Sequence, residues 1–213
     1  MKNTIYVKMF LWLFVGLLIT FGVGYILSIK PEFLISLATI GIIPIIIIEL
    51  VISVVMGLCL KKLPEIVMKI MYLLFCTLTG LTFGFIFISY KIDSVMSLFV
   101  ISALIFALLA FYGYITKRDL SRFGTILLFM LLGLIIGEII NFSFFHSSQT
   151  EVLFSAIGVG VFTMYIAYDT NKVKLMLPEY GENKAAIYGA YQLYLDFINL
   201  FIKLLELFGK RND

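Results

Sequence analysis

The chain has 213 residues, 62% of them hydrophobic and 14% charged, with a mean hydropathy of +1.09. Soluble domains carry about 45–50% apolar and about 25% charged residues, and one of this size cannot hide such an excess in a single core. The composition therefore excludes a soluble enzyme, a nucleic-acid-binding module and a disordered chain, and a net charge of +3 matters less than where the charges fall.

The alternation of a membrane β-barrel is absent, so the spans read as helices and the fold class as an all-α polytopic membrane protein. Charges divide the sequence into apolar blocks of about 20 residues, the length that crosses a bilayer. The run between Lys8 and Lys30 reads as helix one. It is too long for a signal-peptide core and no small-residue cleavage site follows it. Helix two is expected from about Pro31 to Leu60, interrupted by Glu49 and kinked at Pro44. Helix three is expected over Pro64 to Tyr90, helix four over Asp93 to Thr116, and helix five over Ser121 to Phe142 with Glu138 inside. Helix six is expected over Thr150 to Asn171 with Asp169, and helix seven over Asn183 to Phe208. Short loops join them and no linker divides them, so residues 1–213 read as one seven-helix transmembrane domain.

Lys2 and Lys8, then Lys61, Lys62 and Lys69, then Lys117, Arg118 and Arg122, then Lys172, Lys174 and Lys184 fall on alternate loops. The positive-inside bias places these loops and the N-terminus in the cytoplasm. Seven spans then put Lys210 and Arg211 outside, where they fit poorly, so the far end of helix seven stays open. Cys59 and Cys76 lie in apolar runs and read as small hydrophobes. His146 stands alone, which removes two-histidine zinc chemistry. Gly80 with Gly84, and Gly133 with Gly137, are GxxxG pairs that read as packing faces within the bundle.

A charge at the bilayer centre costs about 2.5–3.5 kcal/mol on insertion scales, so intramembrane acids face a bundle interior or water. Glu49, Glu138, Asp169 and Asp196 are the four candidates. Glu138 nears a helix end, where snorkelling is the plainer reading. Gln192, Asp196, Asn199, Lys203 and Glu206 recur at helical spacing and form one polar stripe on helix seven, which is apolar on its other faces. Tyr165, Asp169 and Lys172 share a face of helix six, close to its cytoplasmic end.

Three segments together resemble the Bax inhibitor-1 family, also called the transmembrane Bax inhibitor motif family, with short bacterial members as the nearest match. They are YGYITKRDLSRFG at 112–124, AYDTNKV at 167–173 and LYLDFINLFIKLLELFG at 193–209. The resemblance implies six helices surrounding a central C-terminal seventh, and a hydrogen-bonded pair of aspartates from helices six and seven at a cytoplasmic pore mouth. By motif these are Asp169 and Asp196. It further implies a pH-sensitive calcium leak, with no enzymatic activity and no cofactor. The implied partners are the lipid bilayer, calcium ions and protons, and the location is a bacterial plasma membrane. Glu49 falls where the family carries an acid in helix two and is expected to line the ion path with Asn199. Family members often hold an arginine near the cytoplasmic end of helix two that engages the helix-six aspartate. Here Lys61 and Lys62 stand near that place, and as a latch they supply charge without a bidentate fork.

Two carboxylates about 4 Å apart repel by roughly 4 kcal/mol at an effective dielectric of 20. Such a pair titrates as one unit. Sharing a proton, it ties helix six to helix seven; fully ionised, it offers two hard oxygen donors of the type calcium takes. Asp169 and Asp196 are thus candidates for pH sensor, gate and calcium contact. Two rivals remain. A non-transporting regulator would bind a membrane protease or channel. An intramembrane aspartyl protease would use Tyr168-Asp169, but the Gly-x-Gly-Asp it needs is replaced by Leu-Tyr-Leu before Asp196.

Overall fold

The computed structural model describes residues 2–30, 32–35, 41, 43–59 and 62–212. The helices are α1 (Lys2–Ser28), α2 (Ile43–Leu58), α3 (Glu65–Ser89), α4 (Ile92–Ile115), α5 (Gly124–Ile140), α6 (Ser148–Tyr180) and α7 (Glu182–Phe208). A 3-10 turn at Ser121–Phe123 and a π-turn at Asn141–Phe145 flank α5. Among the described residues the only β-pairing is an isolated bridge between Tyr90 and Arg211.

Among the described residues five stretches are long and apolar enough to cross a membrane: Thr4–Ser28, Glu65–Ser89, Ile92–Ile115, Ser121–Phe145 and Ser148–Tyr180. Their outer faces remain apolar and uncovered, as with Leu108 at 71% and Phe129 at 68% exposure, which is the surface that lipid solvates. Of the seven expected spans, five are matched in this way among the described residues. The described helix α2 has 16 residues, short of the roughly 20 that a straight crossing needs. α7 has the length, at 27 residues, but its polar stripe leaves it outside the apolar set.

Of the expected helix two, residues 31, 36–40, 42 and 60 lie outside the described residues. Pro44 lies in the first turn of α2, where the missing N–H would have no intrahelical partner anyway. It opens the helix instead of kinking it, and Gly41 just ahead takes a left-handed φ of 89°. Helix six runs on past Asn171 to Tyr180 with Pro178 inside its last turns. The extension buries Val173 and Met176. Gly181, at φ 75°, closes that helix and donates its N–H to Leu177 O at 3.1 Å, an αL turn that glycine makes without strain.

Cα packing divides the chain into two compact units. The first comprises residues 1–92, 176–194 and 211–213. There α1 packs along α3 at a close approach made by Gly80 and Gly84: a Cβ on Gly80 would stand 2.7 Å from Val23 Cβ, and one on Gly84 3.1 Å from Leu27 Cβ. Tyr72, Phe83, Met68 and Tyr194 fill the core of this unit. Lys8 bonds to Glu182 at 2.7 Å and to Asn183 at 2.9 Å, and Asn183 donates to Glu65 at 3.1 Å. At the far end Asn212 N donates to Ser89 O at 3.0 Å and Arg211 lies over the Tyr90 ring. These contacts set Glu182 and Asn183 at the start of α3 and Arg211 and Asn212 at its end.

The second unit comprises residues 93–175 and 195–210. Phe197 meets Phe99 and Phe106 edge-to-face at 5.5 and 5.7 Å, and Ile166, Leu200 and Phe201 are fully enclosed. Of the second GxxxG pair, Gly137 abuts Phe154 while Gly133 faces open space. Along α7 no residue from 184 to 205 is exposed, the burial expected of a helix apolar on most faces.

Candidate functional site: a buried pair of aspartates

α6 and α7 run side by side in the second unit. Ser155 Oγ donates to Glu206 Oε2 at 2.6 Å, and a Cβ on Gly158 would stand 2.9 Å from Lys203. Later in α6 and earlier in α7, Asp169 and Asp196 are brought together, each carboxyl close enough to act on the other. They are 3% and 5% exposed. No N–H or hydroxyl among the described residues reaches Asp169 Oδ1 or Asp196 Oδ2; a carboxyl donates only when protonated. Tyr165 lies near both acids and Lys172 near Asp169. The Lys172 ammonium rests 5.4 Å above the Tyr168 ring, a cation–π contact.

The turn that carries Asp169 is fixed by its neighbour, a role the sequence did not disclose. Asn171 is fully buried. Its Nδ2 donates to Gly113 O at 3.2 Å and its Oδ1 accepts Leu120 N–H at 3.3 Å. The first is a carbonyl in the last turn of α4 and the second a donor at the entry to α5, both of a kind that helix ends leave orphaned. Lys174 adds a bond to Thr116 O at 3.2 Å. α4 can come this close because Gly113 has no side chain; a Cβ there would stand 2.4 Å from Ala167 O. Likewise Gly124 makes room for the Tyr168 hydroxyl. The segments 112–124 and 167–173 are therefore one assembly in space, which gives their joint occurrence a physical cause.

The rest of the α7 stripe divides into separate tasks. Asn199 Nδ2 donates to Leu195 O of its own helix at 2.8 Å. Lys203, with its side chain 12% exposed, bridges Glu138 at 2.6 Å and Glu206 at 2.9 Å. Glu138 is thus held by an ion pair and not left to snorkel, a pairing invisible in sequence because 65 positions separate the partners. Among the described residues no three or more His, Cys, Asp or Glu gather as a metal site. The aspartate pair alone supplies few of the six to eight oxygens calcium takes.

Glu49 sits in the first unit, half-buried, with Oε1 accepting Thr79 Oγ1 at 2.7 Å. Beside it Thr20 Oγ1 donates to Cys76 O at 2.9 Å and lies 2.5 Å from Tyr194 OH. A threonine hydroxyl has one proton, so Tyr194 donates to Thr20. Of the two latch candidates, Lys61 lies outside the described residues, and Lys62 is exposed in the turn after α2. Cys59 and Cys76 are free.

Comparison with known proteins follows this architecture. The family model described as Inhibitor of apoptosis-promoting Bax1 matches residues 2–213. Inner membrane protein YbhL of Escherichia coli K12 is 38% identical over 208 residues, covering 94% of this chain and 88% of the relative. A protein of Borreliella burgdorferi is 34% identical over 219 residues, covering 100% and 94%. One of Deinococcus radiodurans is 32% identical over 214 residues, covering 99% and 92%. With one family model spanning residues 2–213 and a relative 38% identical over 94% of the chain, the chain belongs to the Bax inhibitor-1 family of membrane proteins.

Proposed function

We propose that this chain is a pH-responsive cation leak path of a bacterial plasma membrane, with calcium as the permeant ion and the Asp169–Asp196 pair as its gate. The observation that supports it is two carboxyls of neighbouring helices buried against each other, neither in an ion pair among the described residues. Like charges at that spacing do not both ionise without cost. One shared proton ties α6 to α7, and its loss loads that contact with a repulsion of roughly 4 kcal/mol at an effective dielectric of 20. Glu49 and Asn199 belong to the path, and Lys61 with Lys62 supplies a cation for Asp169 when the pair parts. The whole chain acts as one domain, six helices around α7, with its N-terminus in the cytoplasm. Cysteines placed at Arg118 and Ser148 test that orientation; labelling from outside intact cells should reach only the second.

Purified protein in proteoliposomes tests the gate. Wild type should leak calcium with a rate that changes between about pH 6 and 8. Asp169→Asn and Asp196→Asn should each flatten that profile, and the double variant should match the singles because one unit is broken. Unaltered profiles in both singles would reduce the aspartates to packing. Absence of any flux from folded wild type would favour the regulator that binds a membrane protease or channel. Peptide cleavage is the less favoured outcome, because the carboxyls are closed to solvent and the Gly-x-Gly-Asp motif is missing.

A further inference from the structure

The second unit holds a recess of about 330 Å³ between α4, α5 and α6, lined by Leu109, Tyr112, Phe123, Met130, Met164 and Tyr168 among others. That is ligand-sized, at the lower end of the roughly 300–1,000 Å³ typical of small-molecule sites. It opens sideways: Tyr112, Phe123 and Met164 are 46%, 53% and 43% exposed. In a chain whose outer faces meet lipid, such an opening faces hydrocarbon. Its walls are apolar apart from the hydroxyls of Tyr112, Thr163 and Tyr168.

One end of the recess is bounded by Leu120 and Phe123, which belong to the basic connection between α4 and α5. Lys117, Arg118 and Arg122 are exposed there, and none forms an ion pair among the described residues. Lys172 stands over the Tyr168 ring that lines the recess. The acid within this connection, Asp119, accepts the N–H of Ser121 at 2.9 Å. The mouth therefore sets Lys117, Arg118 and Arg122 against the single carboxylate of Asp119, with Lys172, whose nearest acid is the buried Asp169, beside the recess.

We propose that this recess binds one acyl chain of an anionic glycerophospholipid, whose headgroup phosphate is held by Lys117, Arg118, Arg122 and Lys172. Basic groups beside a crevice between transmembrane helices are the general means of holding such headgroups. A second copy of the chain is a poor occupant, because a two-fold contact would set the same four cations against each other. The inference does not rest on the calcium reading.

Delipidated full-length protein, titrated with dioleoyl phosphatidylglycerol or dioleoyl phosphatidylcholine and read by native mass spectrometry, tests it. One phosphatidylglycerol should bind at least about tenfold more tightly than phosphatidylcholine, given the attraction of several basic side chains at a membrane surface. Lys117→Gln/Arg118→Gln/Arg122→Gln, all on an exposed connection, should erase that preference while chain binding persists. Met164→Trp fills the recess and should weaken both lipids about tenfold with the cations in place. Equal wild-type affinities, a preference that survives the triple variant, or unchanged binding in a folded Met164→Trp protein would each overturn the site. So would cross-linking through a cysteine at Phe123 to a second copy. If Met164→Trp does not fold, the triple variant alone decides.

Discussion

Replacing Asn171 by alanine should loosen the junction that holds the aspartate-bearing turn of α6 against the α4–α5 connection. The change strips two partners at once, leaving Gly113 O and Leu120 N–H unpaired where both residues are buried. An unsatisfied buried polar group costs about 1–3 kcal/mol, so two of them predict a loss of roughly 2–6 kcal/mol, less whatever water recovers. That is a large share of the about 5–15 kcal/mol by which folded chains exceed their unfolded forms. Asn171→Asp separates the two bonds: it keeps an acceptor for Leu120 N–H and loses the donor to Gly113 O, so it should fall between alanine and wild type unless carboxylate desolvation dominates. Reversible denaturation in mixed micelles measures both. Because Asn171 lies two residues beyond Asp169, calcium flux in proteoliposomes should also shift its pH profile. If Asn171→Ala lost less than about 0.5 kcal/mol, within the range of ordinary surface changes, the cap would be incidental and the coupling argument would fail.

Glu49→Gln keeps an acceptor for Thr79 while removing the charge, so fold and yield should hold while calcium flux drops; unchanged flux would make Glu49 a structural acid. Asp119 lies outside the membrane-spanning segments, and the backbone N–H of Ser121 holds its carboxyl below the ordinary value. Its contribution to the order of this connection is therefore present above the unfolded pKa and lost as pH falls through the lower folded one. A carboxyl NMR titration should show that depression in wild type; a midpoint at or above the model-peptide value would refute it.

Hydropathy and charge spacing were enough to read an all-α membrane protein, because every backbone group in lipid must be satisfied within its own segment and only continuous apolar runs can do so. The stripe on α7 was equally legible, since helical periodicity is a local property. The limits were set where local signal stops. Residues 172–180 carry charges and a proline, so they read as loop; they are helical because Val173 and Met176 find a buried surface and Lys174 finds Thr116 O. Pro44 read as a kink because sequence does not say where α2 begins. What no pattern along the chain could supply is who meets whom. Glu138 with Lys203, Glu49 with Thr79 and Asn171 with two helix ends are pairings of residues 65, 30 and 51 to 58 positions apart. Two of them, those of Asn171 and Lys203, sit where helices approach closely at Gly113 and Gly158, so that a buried polar group must find its partner on a neighbouring helix.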